Sequence, residues 1–178
     1  LIELDTSEQV KILNKKVQRL KEVEDINEAR FLLGEIIVLG TYIKRKSNLI
    51  FIGREKKVID IDELKLCLNE TSSNLCLCGI DAKMIVDIKK EYPIGIIHKI
   101  YDYLEDILEI SFSSLKSILF CVYEEKGVIQ VNATVDANSN FKNLKKIYPS
   151  VEIEKDEDEL WYLTLKIKEG DYHEPESI

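Results

Sequence analysis

The chain has 178 residues, 45% of them apolar and 33% charged, with only 7 Gly and 3 Pro. That balance excludes disordered, collagen-like and low-complexity classes and leaves room for one ordinary core plus a smaller accessory element. Lys and Arg number 25 against 33 Asp and Glu, a net charge of −8, which speaks against nucleic acid, whose affinity rests on neutralised phosphates, and against an anionic membrane surface.

The first 55 residues contain no proline and read as two helices. Thr6 or Ser7 is placed to cap a helix running to about Val23, with Val10, Ile12, Leu13, Val17 and Leu20 as its apolar stripe. After the polar break Glu24-Asp25, a second helix is expected from about Asn27 to Phe51, apolar nearly all round its middle: Phe31, Leu32, Leu33, Ile36, Ile37, Val38, Leu39, Tyr42 and Ile43. Such a helix must be covered on more than one side. A four-helix bundle made by two copies does this, so residues 8–52 are expected to form a homodimer, with Ile37 and Leu39 in its seam.

From Val58 the elements alternate. Asp60 and Glu63 form a capping-box pattern opening a helix to about Cys78, where Gly79 supplies the stop. Its core face is read as Leu64, Cys67, Leu68, Thr71, Leu75 and Cys78. Ile80 to Ile88 reads as a strand. Pro93 precedes a periodic helix with Ile97, Ile100, Tyr101, Leu104, Ile107 and Leu108 inward and Asp102, Glu105 and Glu109 outward. Two β-rich runs, 118–123 and 128–135, flank the hairpin signal Glu124-Glu125-Lys126-Gly127. A short helix at 141–147 and two strands, 151–154 and 160–167, complete the pattern, and the tail beyond Gly170 is polar. The expected fold is α+β: a helical hairpin at 1–56, a two-layer α/β sandwich at 57–170 and a tail at 171–178.

A helical hairpin followed by this sandwich resembles the transmitter region of sensor histidine kinases, in which a dimerising hairpin precedes a GHKL-type ATPase domain. The likeness runs from about residue 8 to 169. It is carried by the element order, by the segment from Gly40 to Leu49 at the junction of the two modules, and by the closing strand Trp161-Tyr162-Leu163-Thr164-Leu165-Lys166-Ile167. The resemblance implies bacterial two-component signal transduction, with ATP and magnesium as cofactors wherever the site is functional.

Each motif of that family has a counterpart to compare. Its N box sets a Glu, as base, four residues before an Asn that holds Mg²⁺. Here Glu105-Asp106-Ile107-Leu108-Glu109 keeps the Glu, the one catalytic candidate, but has Glu109 at the Asn position. Carboxylates on this stripe repel a nucleotide's phosphates. Its D-x-G-x-G box matches Asp136-Ala137-Asn138-Ser139-Asn140, where Asp136 is placed for adenine but both glycines are replaced, and close backbone approach needs residues without Cβ. No glycine lies between Gly127 and Gly170, and 136–149 leaves no room for an ATP lid. Glu105, Glu109 and Asp136 therefore read as a vestigial ATP site, pseudokinase-like, with no cofactor expected.

The two histidines are His98 and His173, neither in the hairpin where the family carries its phosphoacceptor. A related architecture is the sporulation initiation phosphotransferase B, a helical-hairpin dimer with a degenerate ATPase-like domain. The alternative is an active protein-histidine kinase or phosphotransferase whose acceptor His precedes Leu1. The start at Leu1, without an initiator Met or signal pattern, reads as a piece of a longer protein. The expected partners are a second copy and a response regulator or other signalling protein.

Other features have plainer readings. Cys67, Cys76, Cys78 and Cys121 are not spread like a disulfide framework, which fits a reducing cytoplasmic compartment, and without a second Cys/His pair they make no zinc site. His98, Asp102 and Glu105 read as a solvated helix face or a general-base arrangement. The cluster Lys44, Arg45, Lys46, Arg54, Lys56 and Lys57 answers the helix dipole or docks an acidic partner. Trp161 reads as a core anchor and 156–159 as a solvated turn. No apolar run approaches the roughly 18 residues of a membrane span.

Overall fold

The computed structural model describes residues 6–88 and 91–168; His173, Gly170 and the tail lie outside the described residues. Helix α1 (Ser7–Glu22) and helix α2 (Ile26–Glu55) are joined by a three-residue link and run side by side, tied by Lys16 to Glu35 at 2.9 Å and Arg19 to Glu28 at 2.5 Å. Thr6 occupies the N-cap of α1 without a side-chain capping bond. Asp25 caps α2, accepting from the amides of Asn27 and Glu28 at 3.0 and 2.8 Å, so α2 starts one residue before the expected Asn27. It also runs four residues past Phe51, because nothing in that stretch interrupts it before Lys56.

Strand β1 (Val58–Asp60) leads into α3 (Ile61–Leu77), capped by Asp60 through the amide of Asp62. Gly79, at φ +82°, ends it in the left-handed conformation that glycine adopts without a Cβ penalty. Cys78 is the C-cap and is exposed rather than on the core face. After β2 (Asp81–Asp87) and β3 (Glu91–Pro93) comes α4 (Ile94–Ser111), then a 3₁₀ turn (Phe112–Ser114), β4 (Leu115–Glu125) and β5 (Val128–Ala137). Lys126 and Gly127 both have positive φ, the two-residue turn whose twist matches that of a hairpin. Between β5 and β6 lie a 3₁₀ turn (Phe141–Asn143) and α5 (Leu144–Ile147); β6 (Glu152–Lys155) and β7 (Trp161–Lys168) close the fold.

Among the described residues the fold is α+β, with five α-helices and a mixed five-stranded sheet of order β2-β4-β5-β7-β6, in which β2 runs parallel to β4 and the other pairs are antiparallel. A separate two-stranded pairing joins β1 and β3. Alternation along β5 sends Ile129, Val131, Ala133, Val135 and Ala137 into the core and Gln130, Asn132, Thr134 and Asp136 to the other face. The core face meets α3 and α4. The two-layer expectation is incomplete, because α2 lies across α3 and α4 as a third layer: Val38, Leu39, Tyr42 and Leu49 belong to the same contiguous core as the sheet. Burying α4 on both sides leaves Ile96, Ile97, Ile100, Tyr103, Leu104 and Ile107 without exposure.

Trp161 is half-buried at the core's rim, edge-on to Phe141 at 5.4 Å. The acidic turn is more than a solvated loop. Asp156 accepts from the amide of Leu160 at 2.9 Å and from the Tyr162 hydroxyl at 3.0 Å, holding the β6–β7 connection closed.

Candidate functional site

Four carboxylates project from α4 within two turns, at 102, 105, 106 and 109. The expectation that this stripe faces solvent holds for exposed Glu109 and is corrected for Asp102 and Glu105, where α2 intervenes, so that the four groups meet different surroundings.

Asp102 is taken up by α2. Lys46 Nζ lies 2.6 and 2.7 Å from its two oxygens, and the Tyr42 hydroxyl donates to it at 2.9 Å. Lys46 is only 3% exposed while Asp102 is 35% exposed, so the ammonium is the desolvated partner and depends on this carboxylate. Tyr42 also stacks on Tyr101 at 5.2 Å. Its burial and the adjacent Asp102 raise its hydroxyl far above the ordinary tyrosine range, which keeps it a donor at every physiological pH.

Asp106 is held from the opposite flank. The Tyr148 hydroxyl, from the segment after α5, donates to it at 2.6 Å, and the Tyr148 ring packs edge-on against Tyr103 at 5.0 Å. Burial raises the Asp106 carboxyl, which the Tyr148 hydrogen bond partly offsets. Glu109 is exposed at the rim. Glu105 is 8% exposed and accepts no hydrogen bond from any described residue. Burial first, then the charges of Glu109, Asp106 and Asp102, push its carboxyl well above the usual range.

The structure does not bring the three expected nucleotide residues together. Glu105 and Glu109 lie in the helical layers, on one side of the sheet. Asp136 projects from the open face on the other side, 3.3 Å from Lys116 Nζ. His98 is half-buried one turn before Asp102, whose oxygens accept from Lys46 and Tyr42.

The basic cluster is likewise divided. Lys44 and Arg45 both bind Glu70 of α3, which holds that carboxyl below its ordinary value, and Lys46 is buried against Asp102. Three of the six cations therefore help to pack α2 against α3 and α4. Among the described residues no group of three His, Cys, Asp or Glu side chains is placed to hold a metal ion. Cys67 is buried, which pushes its thiol up to about 12; Cys76 and Cys78 are exposed, and all four cysteines are free.

No family model and no curated protein matches the chain. Among solved structures it is similar to a bacterial phosphotransferase (11% identity, TM-score 0.48, covering 92% of this chain and 91% of that one). It is also similar to the histidine kinase AdeS of Acinetobacter baumannii (12% identity, TM-score 0.45, 93% and 96% covered). A third is the histidine kinase domain of a blue-light activated histidine kinase from Erythrobacter litoralis (11% identity, TM-score 0.47, 93% and 95% covered).

Sequence reasoning overlooked Tyr42, Lys46 and Tyr148 as partners of the α4 acids. A signal for Lys46 exists: it stands on the stripe Val38, Tyr42 and Leu49, the spacing of one helix face. A lysine on an apolar stripe needs a buried carboxylate opposite it.

Proposed function

We propose that this chain is a dimeric interaction module of the sensor-histidine-kinase transmitter type whose nucleotide site no longer works. The observation that supports this most directly is the occupation of the acidic face of α4 by the chain's own side chains. Lys46 and Tyr42 already engage both oxygens of Asp102, and Tyr148 engages Asp106. Asp136, the one residue suited to an adenine amino group, is on the far side of the sheet. Phosphates brought to this stripe of α4 would meet the carboxylates of Glu105 and Glu109.

The module works through surfaces rather than turnover in this reading. A second copy docks on α2, whose outer side carries Ile26, Leu33, Ile37 and Phe51 at 62%, 47%, 40% and 58% exposure. They recur at helical-face spacing and are apolar enough to favour a covered state. A response regulator or another signalling protein is the further partner, and the setting is the cytoplasm. Within the described residues, no helix is long and apolar enough to cross a membrane.

Calorimetric titration with Mg²⁺ and ATP tests the reading. The expected outcome is no saturable binding tighter than about 100 μM. Tighter binding that Asp136→Asn abolishes would establish the competing view, an active kinase or phosphotransferase with its acceptor His upstream.

A further inference from the structure

Where α1 and α2 cross the end of α4 they leave a cavity of about 270 Å³, walled on its apolar side by Ile12, Val38 and Phe112. Its polar groups are Lys16, Glu35, Glu105 and Glu109. Lys16 is committed to Glu35 at 2.9 Å, and Glu109 stands exposed at the rim. That leaves Glu105, among the described polar groups inside, without a partner. It is more than nine-tenths buried and takes no hydrogen bond from any described residue. Buried carboxylates are ordinarily paired, so an unpaired one at the wall of a preformed cavity marks a place for a complementary group.

We infer that this cavity binds a small organic cation, an amine on an apolar body, with its ammonium on Glu105 and its body against Ile12, Val38 and Phe112. An anion would meet three carboxylates and a lysine already engaged. A neutral apolar molecule would leave Glu105 unpaired and less solvated than before. A metal ion would need a convergent set of ligands, and the described residues hold none. An ammonium satisfies the carboxylate with a charge-assisted hydrogen bond, while the apolar wall rewards the rest of the molecule.

The electrostatics supply a second signature. The titratable groups around Glu105 are Asp102, Asp106, Glu109 and Tyr101 on α4, Lys16 on α1, and Glu35 and Tyr42 on α2. Burial and the three α4 carboxylates favour the protonated acid in the empty cavity. An incoming ammonium favours the carboxylate, so the proton is released to solvent as the cation binds. Affinity therefore strengthens as pH rises.

The probe is phenethylammonium, with 2-phenylethanol as its uncharged counterpart, titrated calorimetrically into the whole chain in buffers of different ionisation enthalpy. The expected result is 1:1 saturation by the amine, at least about tenfold tighter than the alcohol, with a heat that varies with buffer because a proton leaves. Glu105→Gln keeps the shape of the site and weakens the amine at least about tenfold without affecting the alcohol. Ile12→Trp, which fills the mouth and leaves every charge in place, blocks both. The inference is overturned if amine and alcohol bind equally, if Glu105→Gln binds the amine as well as the parent does, or if no saturation appears by about 10 mM. None of these outcomes depends on whether ATP binds.

Discussion

Asp102 and Glu105 stand about one turn apart on α4, yet Asp102 accepts from a lysine and a tyrosine hydroxyl while the more deeply buried Glu105 accepts from neither. For Glu105 the folded-state carboxyl lies above its unfolded value of about 4.5, so the folded chain binds the proton more tightly than the unfolded one. Its contribution to stability is fully present below that value and declines as pH rises through the interval up to the folded pKa. Glu105→Gln removes this pH dependence. The stability difference between variant and parent, from urea unfolding, is expected to be near zero around pH 4 and to grow to about 1–3 kcal/mol in the variant's favour by about pH 8. A gain largest in acid would show that Glu105 is instead a stabilised carboxylate.

At the level of elements, α4 responds differently along its two sides. Leu104 is fully buried, and Leu104→Ala is expected to cost about 2–5 kcal/mol. Glu109→Gln, at the exposed rim, changes stability little in the same denaturation experiment, and equal losses would mean the faces are misassigned. Helix α2 has a similar division. Leu39 was expected in a seam between copies, yet at 7% exposure it packs into the chain's own core, whereas Ile37 is 40% exposed. Ile37→Glu should therefore leave the fold intact and yield a monomer by light scattering from a dimeric parent, while Leu39→Glu unfolds the protomer itself. The order of elements after Val58 was legible because its stops are local: Gly79, Pro93 and Lys126-Gly127 each impose a conformation on their own neighbours. The third layer was not. Periodicity assigns Asp102 and Glu105 to the outside of a helix, and only a lysine and a tyrosine more than fifty residues earlier reverse that reading. The candidate site suffered the same way, since motif spacing places Asp136 in sequence and cannot tell which face of the sheet it meets.

At the scale of the whole molecule, one contiguous core reaches from Val38 of α2 to Ile167 of β7, so the N-terminal pair of helices is unequally attached to the rest. Helix α2 shares that core. Helix α1 contributes no fully buried residue of its own, and its hold on the remainder rests on half-buried Ile12 and Leu13 together with the ion pairs to Glu28 and Glu35. Surface ion pairs of this kind contribute little. Amide protons of α1 should accordingly exchange with deuterium by a local opening, orders of magnitude sooner than those of α4, whose protection should match global unfolding. The wall that Ile12 lends to the Glu105 cavity is then a door on a lightly held hinge, and a tenant of that cavity would be seen first as slowed exchange along α1. Equal protection of α1 and α4 would mean that the door does not open on its own.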